Sequence, residues 1–178
     1  MAPSVKSNKN GALQLRIYFT FLSFFLTAAS VIFVAPAAQA QTKTFKNVRV
    51  VACHDGDTCR FDFLDVSPRM FGQALPVRLK GFDTAELGKQ ARCKRESKLA
   101  TKQRNYLRSL FKKSKNIMIK VQTQKGKKGL VELDRDKYGR ILGEVYVNGR
   151  SVANEMIKKA GARKNNGGFR KGWCGRQF

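Results

Sequence analysis

Acidic residues are scarce in this chain: twelve Asp and Glu stand against 36 Lys and Arg in 178 residues, giving a formal net charge of +24. A field of that sign concentrates polyanions and speeds their encounter, which makes nucleic acid the leading partner; an anionic membrane or a polysaccharide would use the same field. Histidine is nearly absent. His54 is the only one, so a two-histidine ribonuclease mechanism is excluded, and a lone histidine beside a turn is more simply a solvated side chain. No CxxC pair occurs among the four cysteines, and with one histidine that argues against a structural zinc site. Internal repeats and low-complexity linkers are lacking as well.

Long apolar runs are confined to one place. Lys6, Lys9 and Arg16 make a basic start, Ile17 to Val34 is apolar apart from Thr, Ser and Tyr, and Ala38-Gln39-Ala40 offers small residues for cleavage. This reads as a secretory signal peptide over residues 1–40, cut after Ala40; because the run approaches the ~20 residues that span a bilayer, an uncleaved anchor is the alternative. Residues 41–178 are the size of one domain and keep 33 of the basic residues and all twelve acids, a net charge of +21. They also hold Cys53, Cys59, Cys93 and Cys174, an even number that suits two disulfides in an oxidising compartment. Three pairings are possible. Cys53 and Cys59 lie symmetrically about Gly56, so a tight turn there sets them across a hairpin, and Cys93 with Cys174 would tie the tail to the start of a helix.

Val48, Val50 and Ala52 alternate toward Asp55-Gly56, a strong hairpin signal, and Thr58 to Leu64 continues as the return strand. A third strand is expected over Leu75 to Phe82. From Lys94 to Lys113 the residues Leu99, Tyr106, Leu107, Leu110 and Phe111 fall on one helical face, with Lys and Arg on the rest. Ile117 to Gln124 and Ile141 to Val147 read as strands, the latter entered through a turn at Lys137-Tyr138-Gly139. A short helix follows from Val152 to Ala160, with Ser151 as N-cap and Gly161 as stop. Three strands, a helix and two strands is the order of a five-stranded Greek-key barrel, an OB-fold, mainly β with two to three helices.

On that frame Asp57 leaves the hairpin turn, and Asp83 with Glu86 follows the third strand. Carboxylates brought together repel unless a cation compensates them, and calcium takes carboxylate, carbonyl and water oxygens. Arg78 and Arg140 supply guanidinium forks that match phosphate oxygens and stabilise charge in a phosphorane-like transition state. Arg78 and Asp83 have opposite parity in an unbroken strand. Gly81 resolves this if it marks a bend.

Three motifs in order, DGDT at Asp55 to Thr58, VRLKGFDTAE at Val77 to Glu86 and DKYGR at Asp136 to Arg140, resemble the staphylococcal-type thermonucleases over roughly Val48 to Ala162. The resemblance implies an OB-fold that cleaves DNA and RNA on the 5′ side of the phosphate and leaves 3′-phosphate ends. It implies Asp57 and Asp83 as Ca2+ ligands with the Thr84 carbonyl, Glu86 as the base that activates water, Arg78 and Arg140 as catalytic arginines, and Lys137 and Tyr138 as residues lining the nucleotide pocket. The family's usual Asp-Thr-Pro-Glu reads Asp83-Thr84-Ala85-Glu86 here, which loses a fixed φ and keeps every oxygen donor. After Gly161 the tail has no tyrosine, whereas the staphylococcal enzyme frames its nucleotide with tyrosines from that region; its last helix is absent or shortened. The stretch from Gly167 to Cys174 resembles shorter-tailed members from Gram-negative bacteria, which supports a Cys93–Cys174 pair.

Taken singly, each residue has a plainer reading. Asp55-Gly56-Asp57 is a turn, Arg78 or Arg140 is a surface arginine paired with Glu132 or Asp134, and Tyr138 caps the barrel. Together they predict an exported monomeric nuclease, secreted or periplasmic, with DNA and RNA as substrates and no stable membrane association once the signal is cut. The rivals are a non-catalytic nucleic-acid-binding OB module and a membrane-tethered nuclease.

Overall fold

The computed structural model describes residues 41–66, 73–126, 130–168 and 170–175, so the expected signal peptide over residues 1–40 lies outside the described residues. The strands are β1 (Gln41–Phe45), β2 (Val48–Cys53), β3 (Thr58–Phe63), β4 (Leu75–Leu79), β5 (Gly81–Asp83), β6 (Ile117–Lys125), β7 (Val131–Leu133), β8 (Ile141–Val147), β9 (Arg150–Ser151) and β10 (Arg163–Asn165). Among the described residues two α-helices join them, α1 (Lys94–Lys112) and α2 (Val152–Ala160), with one 3-10 turn at Gly88–Gln90. The architecture is mostly β. No described helix is long and apolar enough to cross a membrane.

The main sheet runs in the order β1-β6-β8-β4-β3-β2, with β7 on β6 and β9 on β8. It curls, because the two ends of this path, β1 and β2, are consecutive stretches of chain separated only by Lys46 and Asn47. Alternation explains the inner face. In β6 the residues Ile117, Ile119, Val121 and Thr123 are buried while their neighbours are not, the period of two that a one-sided strand requires. Phe61, Leu79, Ile119, Ile141, Leu107 and Met156 are fully buried between sheet and helices. Phe61 meets Phe111 of α1 edge to face at 5.7 Å, a contact that truncation to Ala would open at a cost of about 3–5 kcal/mol.

The expected third strand is broken. Lys80 interrupts it, and Gly81 at φ 91° restarts the chain as β5, a conformation open to glycine and strained for other residues. The helix expected from Lys94 is present, but its buried column is Glu96, Ala100, Gln103, Leu107 and Phe111. Leu99, Tyr106 and Leu110 flank that column and are only partly covered. At the start of α2 the Ser151 side chain accepts from the Asn154 N–H, as the sequence predicts for an N-cap, and Gly161 ends the helix.

Both cysteine pairs are disulfides: Cys53 with Cys59 across the β2–β3 hairpin, and Cys93 with Cys174 over 81 residues. Among described residues the one tight group of possible metal ligands is Cys93, Glu96 and Cys174, and its sulfurs are committed to that second bond. In a chain-entropy model the longer closure removes about 4–5 kcal/mol of unfolded-state freedom and the shorter about 2 kcal/mol.

Candidate active site

The DGDT turn is built by its first residue. Asp55 Oδ1 accepts from the N–H groups of Asp57 (2.9 Å) and Thr58 (2.6 Å), which closes the turn with a side chain. Gly56 has no substitute here, since a Cβ at that position would stand 2.8 Å from Thr84 Cγ2. The turn and the acidic loop are therefore in direct contact. Across this contact Thr84 donates to Asp57 Oδ2 from both its N–H (3.2 Å) and its hydroxyl (2.8 Å), and Thr58 donates to Asp57 Oδ1 at 3.1 Å.

Arg78 stands opposite Thr58 in the β3–β4 ladder. Its guanidinium pairs with Asp57 and, at 2.9 Å, with Asp83 Oδ1. The bend at Gly81 is what cancels the parity of a continuous strand and lets Asp83 turn back to Arg78. Burial pushes the Arg78 pKa below its usual value, against the pull of Asp83, so its charge is held by the two carboxylates. Arg140 enters from the loop before β8 and donates to Thr58 Oγ1 at 3.1 Å. Its ion-pair partner is Asp136, at 2.7 Å, not Glu132 or Asp134, because the turn from Asp136 to Arg140 folds the two ends together through Asp136 Oδ1, which accepts from the N–H groups of Tyr138 and Arg140. Burial alone would raise the Asp136 pKa, and these bonds, led by the Arg140 side chain, outweigh it and lower it.

Lys137 and Tyr138 sit on that turn. Tyr138 is 71 % exposed, so it caps nothing. Its ring is flanked by Arg140 at 5.4 Å and Lys137 at 5.1 Å. His54 is exposed at the other end of the hairpin turn.

Three further residues belong to the site, and motif reading does not reach them. Gln103, fully buried on α1, accepts from the Ala85 N–H (2.8 Å) and donates to the Gly161 carbonyl (3.1 Å), which fastens the acidic loop to the end of α2. Glu96 accepts from the N–H groups of Arg92 (2.7 Å) and Glu86 (3.4 Å). Arg170 is the third. Its Nε donates to Asp83 Oδ2 at 2.8 Å, its Nη2 to Asp83 Oδ1, and its Nη1 to Glu86 Oε1 at 2.7 Å. The hydrogen bonds to Asp83 raise its pKa. The tail is brought there by β10, which pairs with β5 so that Arg163 faces Asp83. Arg163 then accepts the returning chain by donating to the carbonyls of Lys171 (2.9 Å) and Gly172 (3.0 Å) and stacking on Trp173. Cys174 completes the fastening.

A protein-family model described as staphylococcal nuclease homologue matches residues 76–169. The chain belongs to this family. No curated protein matches it. Membership in the staphylococcal nuclease homologues makes nucleic acid the substrate class and phosphodiester hydrolysis the coarse activity. The match contains Arg78, Asp83, Thr84, Glu86, Lys137, Tyr138 and Arg140. Asp57 and Arg170 fall outside it on either side, and the fold brings both back to the matched residues.

Proposed function

We propose that the protein is an exported calcium-dependent nuclease that hydrolyses DNA and RNA and leaves 3′-phosphate ends. The observation that carries this reading is the convergence of oxygens on one positive group. Arg170 reaches both oxygens of Asp83, lies 3.5 Å from the Thr84 carbonyl and 4.0 Å from Asp57 Oδ2. An all-oxygen set gathered in this way suits a hard divalent cation, with Asp57, Asp83 and the Thr84 carbonyl as protein ligands. Calcium bound there supplies Lewis-acid polarisation of a phosphate oxygen.

Glu86 is the most open of the three acids, its side chain 32 % exposed against 5 % for Asp57. In this reading it takes the proton of the attacking water while the bond from phosphorus to the 5′ oxygen breaks. Arg78 and Arg140 hold the phosphate oxygens as charge develops, and Arg78 is kept in place by its two carboxylates. Tyr138 offers an open ring for a base to stack on, and Lys137 a charge beside it. In this reading residues 41–53 count as one strand bent at Lys46-Asn47, and the sheet path β1-β6-β8-β4-β3-β2 then supports a five-stranded Greek-key OB barrel. Residues 1–40 serve as the signal peptide of a secreted or periplasmic monomer, a reading supported by their basic start, apolar run and small-residue site and by two disulfides downstream.

The test is degradation of single- and double-stranded DNA and of RNA with calcium, with magnesium and with a chelator, beside Glu86→Gln. Calcium-dependent cleavage to 3′-phosphate ends that the variant lacks is the expected result. The second reading, a non-catalytic binder, is favoured by one observation, that Arg170 ties up Asp83 and Glu86. Salt-sensitive binding without cleavage under any metal would establish it.

A further inference from the structure

Beside the Cys53–Cys59 hairpin lies a second basic site, a cavity of about 570 Å³ walled by His54 and Arg60 from the hairpin, Leu87 and Gly88 from the acidic loop, and Arg104 and Arg108 from α1. Among described residues no carboxylate lines it. Among described residues none of Arg60, Arg104 and Arg108 forms an ion pair, although Arg104 and Arg108 stand one helical turn apart, where like charges repel. Two of the three are aimed by backbone carbonyls: Arg108 Nη2 donates to the Cys53 carbonyl at 2.7 Å and Arg60 Nη1 to the Ala74 carbonyl at 2.9 Å. The third is left short. Arg104 Nε is the one side-chain nitrogen or oxygen among the described residues that is shut off from solvent without a hydrogen-bond partner. A buried donor left without an acceptor costs free energy. That buried Nε is out of reach of a bound anion, but the cavity is lined by three guanidinium groups without carboxylate partners among described residues, two of them held in direction, and such forks suit a planar or tetrahedral oxyanion.

The neighbourhood identifies which one. Leu87 follows Glu86 directly and His54 precedes Asp57 by three residues, so the cavity adjoins the candidate active site on both strands of chain that build it. We propose that this cavity is a phosphate subsite for the polynucleotide backbone, holding a phosphate of the same strand whose scissile phosphodiester lies at Asp57, Arg78 and Glu86; this rests on the nuclease reading above. A substrate long enough to occupy both places gains affinity that a dinucleotide does not.

The experiment measures binding of a fluorescent single-stranded 12-nucleotide DNA and of a dinucleotide to the full-length, disulfide-bonded protein, in chelator, across a salt series. Arg104→Gln should weaken the 12-mer roughly tenfold and reduce the magnitude of its salt slope by about one, as expected for loss of one phosphate contact. Dinucleotide binding should stay the same. Arg60→Gln, in a different element lining the cavity, should repeat the pattern and stands in if the helix variant does not fold. Unchanged 12-mer binding in both variants, or an equal loss for both lengths, would overturn the subsite. So would a variant effect confined to inorganic phosphate, which would assign the cavity to a small anion. Because no cleavage is read, failure of the nuclease reading is scored separately: a protein that cleaves nothing and still shows the length-dependent Arg104 effect keeps the subsite, and one that cleaves without it loses only the subsite.

Discussion

Two groups of arginines flank the loop from Asp83 to Gly88, and they differ in how their charge is met. Arg78, Arg140 and Arg170 all have carboxylate partners. Among described residues Arg60, Arg104 and Arg108 have backbone carbonyls or nothing as partners. Pairing cancels much of the field of an arginine and fixes its direction, whereas an unpaired arginine keeps its field and its appetite for anions. The few acids of the chain are spent accordingly: Asp55, Asp57, Asp83, Glu86, Glu96 and Asp136, half of the twelve, build or brace one cleft. One region is arranged for geometry and the other for attraction.

The largest effect that would break this division is expected at Glu86. Replacement by Gln should lower cleavage by about 10²–10⁴-fold, the usual worth of a positioned base, while leaving oligonucleotide affinity and its salt slope unchanged in the same anisotropy titration. A parallel change in the salt slope would mean that the cleft also carries the attraction. Next comes Arg78→Lys, which keeps the charge and loses the fork that joins Asp57 to Asp83. Single-turnover cleavage should fall about 10²-fold with the circular dichroism spectrum intact; a mild effect would show that charge alone suffices there.

Arg170→Ala sharpens the comparison from the other side. Removing a cation from Asp83 and Glu86 should tighten calcium binding about tenfold in calorimetry, because guanidinium and metal compete for the same oxygens. Weaker binding would make Arg170 a support of the site instead of a competitor. The smallest expected effect is at Ala85. Restoring the proline that the resemblance leads one to expect would remove the N–H that Gln103 accepts, leaving a buried oxygen short of a donor. Thermal unfolding should report a loss of about 1–3 kcal/mol, and a rise in stability would mean that the fixed φ outweighs the bond.

Strands with buried alternate residues were legible in the sequence, and so were the turns at Asp55-Gly56 and Lys137 to Gly139, because period and turn chemistry are local. β1 was not. Four of its five residues are exposed, so it carries no alternation, and its pairing with β6 is set 74 or more residues away in the chain. The helix was found, and with it Leu107 and Phe111 of its inner column, but an apolar reading passes over Glu96 and Gln103. A polar residue at the spacing of a buried stripe is the signal that would have found them, yet their partners are set by the fold. The plainer pairing of Arg140 with Glu132 or Asp134 fails because the tight turn favours Asp136. Arg170 was invisible for a different reason: it lies in no motif, and β10 pairing with β5 and the tail disulfide deliver it.

That disulfide has one more consequence. Cys93 and Cys174 close a ring of polypeptide that contains α1, α2, the strands from β6 to β10 and both Arg140 and Arg170. A single cut by a protease anywhere inside this ring yields two fragments that remain one molecule. Removing the tail arginine from the cleft therefore takes two cuts, or one cut and a reductant, and the durability of the site in a proteolytic setting becomes a matter of covalent topology, separate from how tightly the protein is folded.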